Sequence, residues 1–155
     1  LTQPNAYSQG IINERVLFHG TRHTPPDKIC KGKNASGFDP RLGTGYYGKG
    51  AYFATDASYS IECYAYTKVP ASRGEKQIFL AHVLCGSSKA YGLGKDTSLK
   101  RAPVQPDGQL YDSSYGGPHL VGKVKSMMYV VYEASQSYPL YLYTYKIKNG
   151  VRVCV

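Results

Sequence analysis

Residues 47–60 read YGKGAYFATDASYS and contain the change of pattern that decides the fold. A glycine-rich loop ends here, and the apolar stretch Ala51–Ala54 (AYFA) that follows it is typical of a β-strand. Asp56 stands where a helix N-cap is favoured, so we predict a helix from there to about Tyr66. A long loop, a strand and a helix in direct succession indicate a scaffold that presents a site through its loops.

The same patterns predict further strands on both sides of this stretch. They cover residues 15–19 (RVLFH), 77–84 (QIFLAHVL), 129–132 (YVVY) and 140–147 (LYLYTYKI), the last two separated by a turn at Tyr138 and Pro139. Pro25 and Pro26 fit the first turn of a short helix that ends at Cys30. Residues 32–50 and 86–119 are rich in glycine and show little periodicity, so we expect long loops there, and such loops are usually functional.

The chain has 155 residues, which is the size of a single domain, and we expect residues 1–12 to be a lead-in segment. Its formal net charge of +9 favours acidic partners such as phosphates, nucleic acids and acidic protein surfaces. No apolar run reaches the roughly 18 residues that a membrane helix needs, so we expect no membrane partner.

The four cysteines lie far apart in the sequence and form no CxxC pair, which argues against a zinc site. They are Cys30, Cys63, Cys85 and Cys154. Two disulfides in a secreted protein are one interpretation, and free thiols inside a cell are the simpler one. We therefore expect an intracellular protein, in the cytoplasm or the nucleus, that holds no metal. We also expect a monomer.

Three segments together resemble the signatures of the poly(ADP-ribose) polymerase superfamily, namely residues 13–21 (NERVLFHGT), residues 47–60 and residues 129–147 (YVVYEASQSYPLYLYTYKI). The part that begins at Tyr111 (YDS) is similar to the branch that transfers single ADP-ribose units. The resemblance implies an α+β ADP-ribosyltransferase fold, with two packed, mainly antiparallel β-sheets, few short helices and long loops around an NAD cleft. It also implies NAD+ as a substrate, no metal and a protein acceptor.

The first two signatures imply particular roles for their residues. The resemblance assigns His19 to the adenine-side ribose of NAD+ and Gly20 to nicotinamide, with Thr21 beside them. A glycine at a strand end lets a ligand approach the backbone, where its N–H and C=O can pair with a planar carboxamide. Tyr52 is implied to line the nicotinamide ribose, and Tyr52 and His19 are therefore candidate catalytic residues as well as NAD-binding ones.

Further NAD-binding residues are implied by the helix and loop around Tyr52. Ser60 matches the family serine whose hydroxyl bonds the nicotinamide carbonyl oxygen. Tyr64 lies about one helical turn further on, where its ring can stack on nicotinamide, and Tyr66 is the alternative. The loop of residues 36–47 (SGFDPRLGTGYY) resembles the donor loop that closes over NAD+. In that loop Arg41 either meets the pyrophosphate or is a solvated charge, and Tyr47 is a further NAD-binding candidate.

Met128 stands at the position where chain-building members of the family carry a catalytic glutamate. A thioether cannot act as a general base, so we do not expect elongation of a polymer. Glu133 does not replace that glutamate, because it points to the opposite face of the strand and lies roughly 17 Å further along an extended chain. Transfer of one unit needs less, since orientation lowers much of the barrier to glycosidic cleavage. Met128 is thus the third candidate catalytic residue, beside His19 and Tyr52. The alternative is that its side chain only packs in the core.

Three functions are compatible with these patterns. The leading one is a mono-ADP-ribosyltransferase that acts on protein side chains. The second is an inactive or weak pseudo-transferase that serves as an NAD or protein interaction module. The third is a nucleic-acid-directed transferase, which is favoured by basic residues near the expected acceptor side, namely Lys95, Lys100, Arg101, Lys123 and Lys125. The histidines outside the signatures are expected to be ordinary surface or core residues, and these are His23, His82 and His119.

Overall fold

The computed structural model describes residues 13–30, 37–68, 74–148 and 151–154. The strands are β1 (Glu14–His19), β2 (Thr44–Gly45), β3 (Gly48–Lys49), β4 (Ala51–Ala54), β5 (Tyr66–Thr67), β6 (Glu75–Leu84), β7 (Ser88–Ala90), β8 (Ser113–Val121), β9 (Val124–Val131), β10 (Ser137–Lys148) and β11 (Val151–Cys154). The helices are α1 (Asp27–Cys30) and α2 (Ala57–Cys63), and Ala134–Gln136 forms a turn of 3-10 helix.

Nine strands form one large sheet in the order β11-β10-β6-β1-β4-β9-β8-β7, with β5 paired to β6. Strands β2 and β3 form a second, two-stranded sheet. Neighbouring strands of the large sheet are antiparallel, apart from the parallel pair of β7 and β8. A single residue pair, Phe18 with Ala54, connects β1 to β4, so the two halves of the large sheet meet at a narrow join. The predicted α+β fold, with mainly antiparallel sheets and few short helices, is confirmed.

The core beside this join is aromatic. Phe38, Phe53 and Phe79 are almost fully buried. Their rings meet edge to face, with centroids 5.2 Å apart for Phe38 and Phe53 and 5.4 Å apart for Phe38 and Phe79, which is a favourable aromatic geometry. The ring of His19 joins the cluster 4.8 Å from Phe38. The end of β1 is therefore held in the core at the point where the chain leaves the sheet.

Most of the predicted elements are confirmed by the structure. The strands expected at residues 15–19, 51–54, 77–84 and 140–147 are β1, β4, β6 and β10. The short helix expected to end at Cys30 is α1. The strand expected at residues 129–132 is β9, which begins earlier, at Val124, and ends at Val131.

The second helix is shorter than predicted. Helix α2 ends at Cys63, and Tyr66, which was expected in its last turn, pairs with Gln77 as part of β5. Asp56 has the extended backbone of an N-cap but makes no capping hydrogen bond with its side chain. Its Oδ2 accepts a hydrogen bond from Thr55 Oγ1 at 2.8 Å instead. Pairing with the sheet overrides the weak local preference for helix.

The assignment of residues 86–119 to a loop is wrong in part, because β7 and the first residues of β8 lie there. Strand β8 reads SSYGGPHLV, and glycine and proline are depleted in strands, which hides the pattern. A register shift between Gly116 and His119 accommodates them. The turn expected at Tyr138 and Pro139 is also wrong, since β10 continues through both residues with a register shift after Pro139.

Residues 1–12, the expected lead-in, and residues 31–36 of the first long loop lie outside the described residues. Among the helices that the structure describes, none combines the length and the apolar character that crossing a bilayer requires. No group of three or more His, Cys, Asp or Glu side chains in the described ranges is arranged to hold a metal ion. Cys30, Cys63 and Cys85 are free thiols.

Removal of one ring from the aromatic core tests the fold. Phe79, which is 1% exposed, contacts Phe38 edge to face, so Phe79→Ala leaves a cavity and is expected to lower the free energy of unfolding by about 3–5 kcal/mol. Tyr138 is 69% exposed, so Tyr138→Ala is a matched control that is expected to change it by less than about 0.5 kcal/mol. Urea unfolding followed by far-UV circular dichroism measures both, and equal effects would contradict the assignment of the core.

Candidate active site

A cavity of about 590 Å³ opens beside the join of β1 and β4. This volume lies within the range of small-molecule binding sites. The walls come from the end of β1 and the loop after it, from residues 37–46, from β4 and α2, and from one residue of β9. The expected site residues that line the cavity are His19, Gly20, Thr21, Tyr52, Ser60, Tyr64 and Met128.

Strand register brings the three signature residues together. Phe18 of β1 pairs with Ala54 of β4, and Ala54 pairs with Met128 of β9. His19 directly follows Phe18, and Tyr52 lies two residues before Ala54, on the same face of β4. The three candidates thus converge because β1, β4 and β9 are neighbours in the sheet, although they are far apart in the sequence.

His19 is held in one orientation and in one protonation state. Its Nδ1 lies 2.6 Å from the carbonyl oxygen of Tyr52, which accepts a hydrogen bond from the ring N–H. Its ring packs against Phe38 and Phe53. Burial lowers the pKa of His19 below 6.5, and the hydrogen bond to the Tyr52 carbonyl opposes this only partly. The imidazole is therefore neutral at physiological pH, and its Nε2 carries a lone pair that can accept a hydrogen bond.

Tyr52 lines the cavity with its ring, while its hydroxyl is used by the neighbouring loop. The hydroxyl donates to the carbonyl oxygen of Gly48 at 2.7 Å and accepts from the N–H of Tyr47 at 2.9 Å. A side chain at Gly45 would press its Cβ against the Tyr52 ring at 3.0 Å, so the loop wraps closely around that ring. Tyr52 therefore shapes the wall of the cavity and fixes the loop.

Gly20 brings the end of β1 into direct contact with the end of α2. A Cβ atom at this position would overlap the main chain of Tyr64, so no other residue fits without movement of the backbone. Outside the strand ladders, the N–H and C=O of Gly20 make no hydrogen bond with another described residue. This close approach places a main-chain donor and acceptor against the main chain and Cβ of Tyr64.

Helix α2 supplies the next part of the wall. Ser60 lies inside it, is 2% exposed and lines the cavity. Tyr64 caps the helix, with its N–H donating to the Ser60 carbonyl oxygen at 3.0 Å, and its ring centroid lies 5.5 Å from that of Tyr59, another lining residue. Tyr66, the alternative stacking residue, belongs to β5 and does not line the cavity. The geometry therefore favours Tyr64 over Tyr66.

Met128 forms the β9 part of the wall, where it is 6% exposed. Among the described residues that line the cavity, the only carboxylate is that of Asp39. It is paired with Arg41 at 2.7 Å, and hydrogen bonds from the Arg41 side chain and main chain lower the pKa of Asp39. Glu133 caps the 3-10 helix and lies away from the cavity lining.

Arg41 is not brought into the cavity. Its side chain is 87% exposed, and its guanidinium is engaged with Asp39 through Nε and a terminal nitrogen. The structure thus shows the solvated, paired state of this residue. Its role toward a pyrophosphate stays a prediction, and it requires Arg41 to leave Asp39 or to turn toward the ligand.

Tyr47 is likewise not brought into the cavity, because it is completely buried in the adjoining core. Its N–H donates to the Tyr52 hydroxyl, its carbonyl oxygen accepts from the Tyr132 hydroxyl at 3.2 Å, and its phenol oxygen lies 2.6 Å from Nε2 of His119. Burial raises the pKa of Tyr47 to about 12, so its phenol stays neutral. Its assignment to NAD+ stays a prediction without geometric support, and in this structure it anchors the loop that carries Tyr46.

Tyr46 is a lining residue that sequence analysis missed. Lys95 covers its ring, with Nζ 3.9 Å from the ring centroid. Adjacent residues in a non-helical segment point in different directions, so a Tyr-Tyr pair predicts that one ring faces the cavity without specifying which. Phe38, which also lines the cavity, was missed because a single aromatic in a glycine-rich loop carries no periodic signal.

Most of the chain is similar to known proteins. The sequence model of the poly(ADP-ribose) polymerase catalytic domain matches residues 3–147. The chain is 38% identical over 149 residues to protein mono-ADP-ribosyltransferase PARP12 of Mus musculus, covering 89% of the chain and 18% of that relative. It is 35% identical over 136 residues to protein mono-ADP-ribosyltransferase PARP10 of Mus musculus, covering 86% of the chain and 13% of that relative.

A third relative is protein mono-ADP-ribosyltransferase PARP11 of Homo sapiens, which is 32% identical over 152 residues, covering 84% of the chain and 41% of that relative. The chain therefore spans less than half the length of each of these relatives. The matched part contains every strand that forms the cavity. The chain belongs to the poly(ADP-ribose) polymerase catalytic domain family.

Proposed function

We propose that this chain transfers a single ADP-ribose unit from NAD+ to a protein side chain and releases nicotinamide. The names of the three relatives described above, each a protein mono-ADP-ribosyltransferase, support this proposal. The observation that carries it is the character of the cavity wall, which combines most of the expected NAD-binding residues with Met128, the residue that the family resemblance aligns with the catalytic glutamate.

The wall at Met128 is unsuited to polymer growth. Elongation requires a group that polarises the hydroxyl of a growing ADP-ribose chain, and a thioether cannot abstract a proton. Asp39 does not supply that group, because its carboxylate is already engaged with Arg41. Apolar packing at Met128 is compatible with cleavage of NAD+, for which orientation of the substrate accounts for much of the rate.

The other side of the cavity suits the nicotinamide group. A carboxamide presents an NH2 donor and a carbonyl acceptor, which complement the C=O and N–H of Gly20 and the hydroxyl of Ser60. Tyr64, whose main chain and Cβ lie against Gly20, also lines the cavity, and its ring offers a surface for stacking of the pyridine ring. Gly20 directly follows β1, Ser60 lies in α2 and Tyr64 is the C-cap of α2, so one corner of the fold would hold the leaving group.

His19 would hold the sugar on the adenine side. Its N–H is fixed on the Tyr52 carbonyl, which leaves the lone pair of Nε2 free to accept a hydrogen bond from a ribose hydroxyl. The hydrogen bond to Tyr52 also links the position of His19 to β4. Two anchor points, one for nicotinamide and one for the distal ribose, would align the glycosidic bond in the cavity.

The bond changes of single transfer need no base from Met128 when the acceptor is a carboxylate. The bond from the ribose anomeric carbon to the nicotinamide nitrogen breaks, and its electron pair neutralises the pyridinium. An acceptor carboxylate donates its own electron pair to the anomeric carbon, so no proton has to be removed. The absence of a carboxylate at Met128 therefore restricts the product more than it restricts the cleavage.

Labelled NAD+ tests the size of the product. Incubation of the chain with an acceptor protein is expected to give one discrete labelled band on a denaturing gel, and mass spectrometry is expected to show the addition of single ADP-ribose units. His19→Ala, with its fold verified by circular dichroism, is expected to reduce labelling by at least about a hundredfold, because an orienting contact is lost. Glu133→Gln is the control and should label normally, since Glu133 lies away from the cavity lining.

Each other outcome of this assay has a definite meaning. A smear of long products would contradict single transfer. Unchanged labelling by His19→Ala would contradict the site. No labelling by the wild-type chain, together with no binding of NAD+, would favour the pseudo-transferase function.

The pH dependence of labelling tests the protonation state of His19. Burial lowers the pKa of this residue below 6.5, and neutral His19 is the form that accepts a hydrogen bond. Labelling should therefore fall with acid only at a midpoint below pH 6.5, as the imidazole gains a proton. Initial rates as a function of pH, at saturating and at low NAD+, provide the measurement. Loss of activity with a midpoint above pH 6.5 would show that protonation of another group limits the reaction.

A second candidate, a nucleic-acid acceptor, is favoured by the basic segment of residues 95–101. The N–H of Asp96 donates to the carbonyl oxygen of Tyr46 at 2.7 Å. The N–H of Lys49 donates to the carbonyl oxygen of Leu99 at 2.8 Å. This segment therefore borders the loop that lines the cavity. In the described part of the chain, no ion pair engages Lys100 or Arg101.

Titration with a single-stranded oligonucleotide decides on this second candidate. If the segment binds phosphates, affinity is expected to fall steeply with salt, and Lys100→Glu with Arg101→Glu is expected to weaken binding about tenfold or more at low salt. Lys76→Glu, on β6, is a control for charge reversal outside this segment. Absence of binding by the wild-type chain at low salt would eliminate a nucleic-acid acceptor and leave the protein acceptor.

A further inference from the structure

Arg22 has an unusual backbone conformation at the edge of the cavity. It is the only non-glycine residue in the described ranges with a positive φ, which is 50°. Side chains disfavour this left-handed region, so such a residue persists where surrounding contacts require it, and such positions cluster at functional sites. Arg22 also lines the cavity and follows directly after the segment His19, Gly20 and Thr21.

Three contacts of Arg22 converge on the end of α2. Its main-chain N–H donates to the carbonyl oxygen of Tyr64 at 2.8 Å. A terminal guanidinium nitrogen donates to the carbonyl oxygen of Cys63 at 3.0 Å. The guanidinium carbon lies 4.8 Å from the centroid of the Tyr64 ring, over which the charged group is placed. One residue thus holds the backbone before Tyr64, the backbone of Tyr64 and its ring.

We propose that Arg22 is a positioning residue that fixes the Tyr64 ring as the stacking surface for nicotinamide. This inference rests on the proposed function, in which nicotinamide packs on Tyr64. The left-handed backbone of Arg22 is what allows its N–H and its side chain to engage the same helix end. Gly20 also restricts the position of Tyr64, because it lies directly against the Tyr64 main chain.

A guanidinium at a cavity edge has a second use, which is direct contact with phosphate groups. The two uses make opposite predictions for a ligand that carries no phosphate. Nicotinamide is such a ligand, since it contains only the ring and the carboxamide. Positioning of Tyr64 requires Arg22 for nicotinamide binding, whereas a phosphate contact affects only NAD+ and ADP-ribose.

Nicotinamide binding to Arg22 variants, measured by calorimetry on the whole chain, tests the inference. Arg22→Met removes the charge and the hydrogen bond to Cys63 and is expected to raise the Kd of nicotinamide about three- to tenfold. Arg22→Gly adopts a positive φ without strain, so it retains the main-chain contact and separates the role of the guanidinium from that of the backbone. It is expected to show the same loss. Arg22→Lys retains the charge without the planar fork and is expected to recover only part of the affinity.

Arg15 provides a matched control. Its guanidinium carbon lies 4.7 Å from the centroid of the Tyr129 ring, which is the same type of contact outside the cavity lining. Arg15→Met should leave the Kd of nicotinamide unchanged. If Arg22 acts through Tyr64, its effect should also disappear in a Tyr64→Leu background, because the two substitutions then remove the same interaction.

The outcomes separate this inference from the proposed function. Normal nicotinamide binding by both Arg22→Met and Arg22→Gly would overturn the positioning role, and weakened ADP-ribose binding in the same variants would assign Arg22 to phosphate instead. An undiminished effect of Arg22→Met in the Tyr64→Leu background would overturn it as well. Normal nicotinamide binding by Tyr64→Leu alone would instead contradict the stacking surface in the proposed function.

Discussion

The candidate site depends on the register of three neighbouring strands. The pairs of Phe18 with Ala54 and of Ala54 with Met128 align the end of β1 with β4 and β9. A shift by one residue would turn every side chain of a strand to the opposite face of the sheet and would disperse His19, Tyr52 and Met128. The aromatic core of Phe38, Phe53 and Phe79 fixes this register, because those rings interlock immediately beside the join. The packing of the core therefore also determines which residues line the cavity.

Several contacts of one residue, Tyr47, hold the loop that covers Tyr52. Tyr47 is bonded at its N–H, its carbonyl oxygen and its phenol, and it stacks on Tyr91 with ring centroids 4.9 Å apart. This buried anchor places the neighbouring Tyr46 in the cavity wall. The polar groups of Tyr47, Tyr52 and Tyr132 thus connect this loop to β4, β8 and β9.

Sequence patterns predicted the central strands because these depend on local signals, and the family resemblance identified seven of the residues that line the cavity. Strands β1, β4 and β6 have continuous apolar segments, and the family signatures lie on or beside two of them. Patterns failed where a long-range contact outweighs a local preference, as in β5, where Tyr66 pairs with Gln77 instead of extending α2. They failed again in β8, whose glycines and proline resemble a loop, and at Tyr47, since no local feature distinguishes it from Tyr46.

A crystal structure of the chain with nicotinamide bound is the most direct test of the site. The carboxamide is expected on the main-chain N–H and C=O of Gly20 and on the Ser60 hydroxyl, with the pyridine ring against Tyr64. A cavity that remains without the compound at saturating concentration, or a compound bound elsewhere on the surface, would contradict the assignment of this cavity to NAD+.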